Sequence, residues 1–157
     1  MLDIQPVIMV QIADRAWTLE ALHCACVMAR ARSAQIALVE MTPVMQPSYL
    51  GTELAYLALS ESDRMNSLEY QATLEDYGVE FSLYRITYLS LVDAIVEAAD
   101  YVNAEVVFAT IPWSIIPFWQ TFQRRQLRRR LARNRREWIE APTYPRAQFP
   151  ENVAIEA

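Results

Sequence analysis

Four short apolar runs, separated by stretches of helical periodicity, constrain this chain more than anything else in it. The runs are 7-VIMVQI-12, 35-QIALVEM-41, 79-VEFSLYRI-86 and 105-EVVFAT-110. The first two are nearly continuous apolar segments, as expected of strands covered on both faces. The third alternates, with Val79, Phe81 and Leu83 on one side and Glu80, Ser82 and Tyr84 on the other, which marks an edge strand. Between the runs lie three helical patterns. Residues 16–33 place Leu19, Leu22, Cys26 and Ala29 on one face, with Asp14 positioned to cap the start. A helix from about Glu53 to Tyr77 presents Leu54, Leu57, Met65, Leu68 and Ala72 as its inner face and stops at Gly78, where a left-handed cap belongs. Ser90 caps a third helix with Asp93 three residues on; Leu91, Ala94, Ile95, Ala98, Ala99 and Val102 form its apolar face, and Asn103 suits its end. Strand and helix in alternation predict a doubly wound parallel α/β sheet with helices on both faces. Ligands of such sheets bind beyond the carboxyl ends of the strands, here the loops after residues 12, 41 and 110.

At 157 residues and 54% hydrophobic content the chain suits one domain with a real core. That domain is expected to span 1–141. Residues 142–157 read as a Pro-rich tail with a short fifth strand near Val153–Ile155. The N-terminus predicts no signal peptide, and no window is long and apolar enough for a spanning helix. Cys24 and Cys26, two apart on a helix, point away from each other and read as packed thiols of a cytoplasmic protein. His23 has no metal-site partners in its neighbourhood, so no metal is expected.

Charge is distributed unevenly. The stretch 124-RRQLRRRLARNRR-136 holds eight of the fourteen arginines, there is no lysine, and the net charge is −5. The rest of the chain therefore sets six arginines against nineteen acids. On a helical wheel Leu127, Leu131 and Trp138 fall within about 40° of one another, so residues 120–140 predict one helix, docked by a narrow apolar stripe and arginine-covered elsewhere. Arg124, Arg125, Arg128 and Arg129 are its candidate contacts for an anion or a partner: acids of the same domain, a second subunit, phosphate or anionic lipid. Nucleic acid is disfavoured by the acidic body and by the absence of a sequence-reading motif. Just upstream, 111-IPWSIIPFWQTF-122 offers Trp113, Phe118 and Trp119 as interface aromatics. They are expected to bury in a homodimer contact or to fill an empty cleft, the alternative being insertion into an anionic membrane surface beside the basic helix.

The segments 8-IMVQIAD-14 and 78-GVEFSLYRITYLSLVDAIVEAADYVNAEVVFATIP-112 resemble, respectively, the first strand and turn, and the third strand, helix and fourth strand, of universal stress proteins. The resemblance runs over roughly residues 5–112 and implies an adenine-nucleotide-α-hydrolase-like fold of about five parallel strands, often dimeric, in which many members bind ATP and others do not. It points to Asp14, Val39 and Thr110 as the ligand-binding positions. The ATP-binding members carry Gly-x2-Gly-x9-Gly-Ser/Thr after the fourth strand, and here those positions are Ala109, Pro112, Phe122 and Gln123. A phosphate cradle needs inward-turned backbone N–H groups, which glycine permits, and Pro112 has none to donate. With two glycines in the whole chain, no glycine-rich loop can be built. Glu40, in a buried strand, reads as the partner of an arginine. No nucleophile–base pair is discernible, so the sequence predicts a universal-stress-protein-like regulatory or binding protein. It is expected to lack enzymatic activity and a cofactor, with a nucleotide-binding stress regulator using a non-standard phosphate site as an alternative.

Overall fold

The computed structural model of the chain describes residues 4–44, 61–112, 115–116 and 118–140. In chain order the elements are strand β1 (Val7–Ile12), helix α1 (Arg15–Arg32), β2 (Gln35–Pro43), α2 (Glu61–Tyr77), β3 (Phe81–Tyr88), α3 (Leu91–Val102), β4 (Val106–Phe108), α4 (Trp119–Arg133) and β5 (Glu137–Ile139). The strands form one five-stranded, all-parallel sheet in the order β3-β2-β1-β4-β5. β1, the most uniformly apolar run, takes the centre, pairing Ile8 with Ile36 on one side and with Val106 on the other. The alternating β3 takes an edge, as its pattern predicts.

Strand pleating divides the core in two. Ile8, Val10, Ile36, Leu38 and Phe108 face α1 and α2, which contribute Leu22, Cys26, Tyr70 and Leu74. Met9, Val39, Val107 and Ala109 face α3 and α4, which contribute Ile95, Ala99, Leu127 and Leu131. Leu127 and Leu131 dock the arginine-rich helix, and burying each leucine stabilises by about 1.5–3 kcal/mol.

A chain with so little glycine must still close its helices, and it does so each time with the same motif. The amide just past the left-handed residue, two positions beyond the first three helices and three beyond the last, reaches back five residues: Ala34 N–H to Ala29 O, Val79 to Leu74, Ala104 to Ala99 and Arg136 to Leu131. The residue before it turns left-handed, at φ 53° for Ser33, 68° for Gly78, 52° for Asn103 and 57° for Arg135. This Schellman geometry favours glycine, which occupies one of the four positions. At the starts, Asp14 accepts from Trp17 N–H and Ser90 from Asp93 N–H, as the sequence predicts.

Three expectations are corrected. The fourth helix stops at Arg133 instead of reaching residue 140, because Arg135 turns left-handed. Trp138 consequently lies on β5, where it still packs against the cluster holding Leu127 and Leu131. The strand beside β4 is therefore Glu137–Ile139, whereas the expected strand at 153–155 falls outside the described residues. On α2 the buried face is Ser67, Tyr70 and Leu74; Met65 and Leu68 are each 61% exposed, and Ala72 is exposed as well. Leu54 and Leu57 lie outside the described residues.

Candidate binding site at the strand ends and on the last helix

Beyond the carboxyl ends of β1, β2 and β4 lies the place where this topology puts a ligand. Most of the polar groups there are committed to one another, the buried Thr42 hydroxyl being without a hydrogen-bond partner. Thr18, fully buried on the first turn of α1, accepts from Ala13 N–H at 2.9 Å and donates its hydroxyl to Asp14 O at 2.8 Å. Asp14 Oδ2 accepts from Trp17 N–H at 3.1 Å, so its carboxylate serves as the cap of α1. Gln11 is the single polar residue in the β1 run and is buried; its Oε1 accepts from Thr110 N–H at 2.8 Å, tying the ends of β1 and β4 together. Ala109 N–H donates to Ile139 O at 3.2 Å, and Ala109 O accepts from Trp138 Nε1 at 2.9 Å. Ile111 O accepts from Gln120 Nε2 at 3.1 Å. Trp17 Nε1 donates to Glu140 O at 2.8 Å, so two indoles fasten the ends of the sheet and of β5.

The three ligand positions suggested by the sequence lie around the end of β1: Gln11 is level with Val39 in the sheet and bonded to Thr110, and Asp14 follows three residues on. Asp14 is exposed at its cap, Thr110 is held by Gln11, and Val39 is fully buried in the core beneath α3. What the fold does form at the mouth is a hollow of about 350 Å³ between the ends of β1 and β2 and helix α2, with Ala13, Glu40, Thr42, Asn66, Ser67 and Tyr70 in its wall. Glu40 is buried there and pairs with Arg85 across the β2–β3 ladder, Nε to Oε2 3.1 Å, the arginine partner expected of it. Burial raises the pKa of Tyr70, an effect that its hydrogen bond with Thr18 reduces. A larger open groove of about 820 Å³ runs between β3 and α3, where Tyr84 and Tyr101 meet edge to face at 5.9 Å.

The arginine helix divides its charges between two destinations. Arg124 pairs with Glu140 at 2.6 Å, Arg130 with Asp93, and Arg136 with Asp100 at 3.1 Å as well as with Ala104 O. Arg128 lies over the Trp138 ring, 5.6 Å from its centroid. Arg125, Arg129 and Arg133 have no acidic partner among the described residues and face outward. Ahead of them, Trp119 stacks on Phe122 with ring centroids 5.7 Å apart, and Ile115, Ile116 and Phe118 are exposed beside them. These aromatics do not fill the cleft: Phe118 is 86% exposed, with a left-handed φ of 65° that aims it outward ahead of α4. Trp113 lies outside the described residues.

Reactive groups are muted. Burial pushes the Cys26 thiol up to about 11, and burial together with Glu20 raises Cys24. His23 Nδ1 is 2.8 Å from Tyr77 Oη, with the rings edge to face. Among the described residues no group of three or more histidine, cysteine or acidic side chains is placed to hold a metal, and no helix is long and apolar enough to cross a membrane.

No protein-family model matches the sequence, and no curated protein matches it either. Solved structures do. A universal stress protein family member from Burkholderia pseudomallei superposes with a TM-score of 0.63 at 15% identity, over 90% of this chain and 98% of the other. A universal stress protein in complex with cAMP gives 0.56 at 15% identity, over 87% and 95%. One from Archaeoglobus fulgidus gives 0.54 at 19% identity, over 87% and 93%. The strand order, the doubly wound helices and near-complete coverage of each of these structures agree: the fold of this chain is that of the universal stress proteins.

Proposed function

We propose that this chain is a universal-stress-protein-like binding or regulatory protein of the stress response that holds no adenine nucleotide through a glycine phosphate cradle and works through contacts of its last helix. The observation that carries this reading is the occupation of the donors at the strand ends. Ala13, Ala109 and Thr110 each give their N–H to another part of the chain, and Pro112 has none to give. The hollow beside them is walled by the buried Glu40, whose pairing with Arg85 leaves that arginine less available to a phosphate. A nucleotide-binding regulator with a non-standard phosphate site would need free arginines at that mouth, and the outward row Arg125, Arg129 and Arg133 is on α4 instead. The anionic-membrane alternative gains nothing from the comparisons. Raised thiol pKa values and a histidine engaged with tyrosine give no support to catalysis, so we read the chain as non-enzymatic and without a cofactor. Two free thiols suit a reducing, cytoplasmic setting. Phe118, Trp119 and the free arginines suit self-association, or an acidic protein partner.

Calorimetric titration with Mg-ATP, AMP and cAMP tests the nucleotide half of this reading. No saturable heat is expected with the nucleotides at millimolar concentration. A dissociation constant below about 0.1 mM, equivalent to more than about 5 kcal/mol of binding, would mean that the strand ends keep donors for phosphate after all.

A further inference from the structure

Two helix faces left open to solvent are matched in both pattern and charge. On α2 the outward row is Met65, Leu68, Ala72 and Glu75, with Glu61 ahead of it and Asp76 beside its end. On α4 the outward row is Trp119, Phe122, Gln126 and Arg129, with Arg125 and Arg133 flanking its basic end. Both rows step by three, four and three residues, the seam spacing by which two helices pack along a shared stripe. Each row begins apolar and ends charged, acidic on α2 and basic on α4. Laid side by side in the same direction, Trp119 meets Met65, Phe122 meets Leu68, Gln126 meets Ala72, and Arg129 meets Glu75.

We propose that α4 of one copy of this chain docks on α2 of the next. The helices cannot satisfy each other within one chain, because α2 belongs to the core on one side of the sheet and α4 to the core on the other. The contact is therefore heterologous. Helices in a parallel doubly wound sheet run against the strands, so α2 and α4 of one chain point the same way. Pairing them in the same direction relates successive copies by something close to a translation, and such a joint repeats without closing. Paired with its own kind in the same direction, α4 sets Arg129 against Arg129 and α2 sets Glu75 against Glu75, and paired in opposite directions each leaves its charged end against an apolar one; only α4 on α2 matches charge with charge. The proposal deepens the reading of the chain as a module acting through its last helix, and it names the partner.

Sedimentation velocity of the full chain at rising concentration, in low and high salt, is the test. Association that grows with concentration and weakens with salt is expected. Leu68→Glu on α2 and Phe122→Ser on α4 alter exposed side chains, so the fold is retained. Each alone should lower the association constant about tenfold or more, the effect of removing a central interface anchor. An equimolar mixture of the two variants should give a one-to-one pair and nothing larger, since one intact joint remains. Glu75→Arg and Arg129→Glu should each weaken association, and the chain carrying both should recover it. A chain that stays monomeric at about millimolar concentration, far above the micromolar range of modest specific complexes, overturns the proposal. So do a Leu68→Glu variant that associates like the parent, a mixture that fails to pair, and a charge swap that rescues nothing. Binding of anionic vesicles equally by the parent and by Leu68→Glu, without self-association, would assign the α4 surface to lipid instead. Nucleotide uptake would refute the functional reading above and leave this joint standing, whereas loss of the joint would leave the calorimetric result unchanged.

Discussion

Replacing Gln11 with methionine isolates the contact on which the reading of the strand ends depends. Gln11 is 4% exposed, and its Oε1 accepts from Thr110 N–H at 2.8 Å. Methionine keeps the length and approximate volume of the side chain, so little cavity is created, while the acceptor disappears. Leaving a buried or half-buried amide without a partner costs about 1–3 kcal/mol. Removal of the glutamine's own buried amide offsets part of that cost, and a net loss of about 1–2 kcal/mol is expected. For a domain of this size each kcal/mol shifts Tm by about 2–4 °C, which places the variant about 2–8 °C below the parent. Urea unfolding followed by far-UV circular dichroism measures the stability. Hydrogen exchange then locates the effect: the Thr110 amide should exchange at least about tenfold faster, with amides in the middle of β1 changing only by the global loss. If Tm falls by less than about 1 °C and Thr110 exchange is unchanged, Gln11 does not hold that amide. The argument that the strand-end amides are taken then fails with it.

Other expectations follow from particular residues. Arg135 adopts φ 57° at the close of α4, so Arg135→Gly should raise stability by about 0.5–1 kcal/mol in urea unfolding, whereas Asn103→Gly, at a residue that tolerates this geometry, should change it by less than about 0.5 kcal/mol. Cys26 is held near 11 by burial, against an ordinary 9.0, so the unfolded chain releases this proton first as pH rises. Stability is therefore lost between about pH 9 and 11, by at most about 2–3 kcal/mol, and Cys26→Ala should flatten that part of the pH profile; in the folded parent a thiol reagent should modify Cys24 first.

Most of the scaffold could be read from the residues because its signals were local and mutually consistent. The α3 segment carries a serine cap, an apolar stripe and an asparagine at its close, and it forms as expected. The nearly continuous apolar runs of β1 and β2 mark strands covered on both faces, and alternation marks β3 as an edge. Helix α2 shows where such reasoning stops. It carries two apolar stripes, Met65, Leu68 and Ala72 on one side and Tyr70, Leu74 and Tyr77 on the other, and periodicity alone cannot say which one faces the core. The structure buries the second because Tyr70 and Leu74 reach the cluster around α1. The end of α4 was hidden for a different reason: its breaker is an arginine in the left-handed region, where composition points to no break. Even so, the wheel that grouped Trp138 with Leu127 and Leu131 identified true neighbours joined by a different element. At the strand ends, Asp14 is the cap that its position suggested, while Gln11 was missed. Its signal was a lone polar residue in an otherwise apolar strand.

The central position of β1 also bears on how the chain acquires its structure during synthesis. Its partnership with β2 closes over a short stretch, but its other edge waits for Val106–Phe108, roughly a hundred residues later. Until α4 follows, Met9 and Val39 have at most α3 over them, since α3 and α4 together cover that side. A nascent chain ending before β4 thus presents a half-finished sheet with an apolar face and an open strand edge, the kind of surface that chaperones recognise and that aggregates capture. The late arrival of the last helix supplies the seal on that face as well as the row of positive charge it carries.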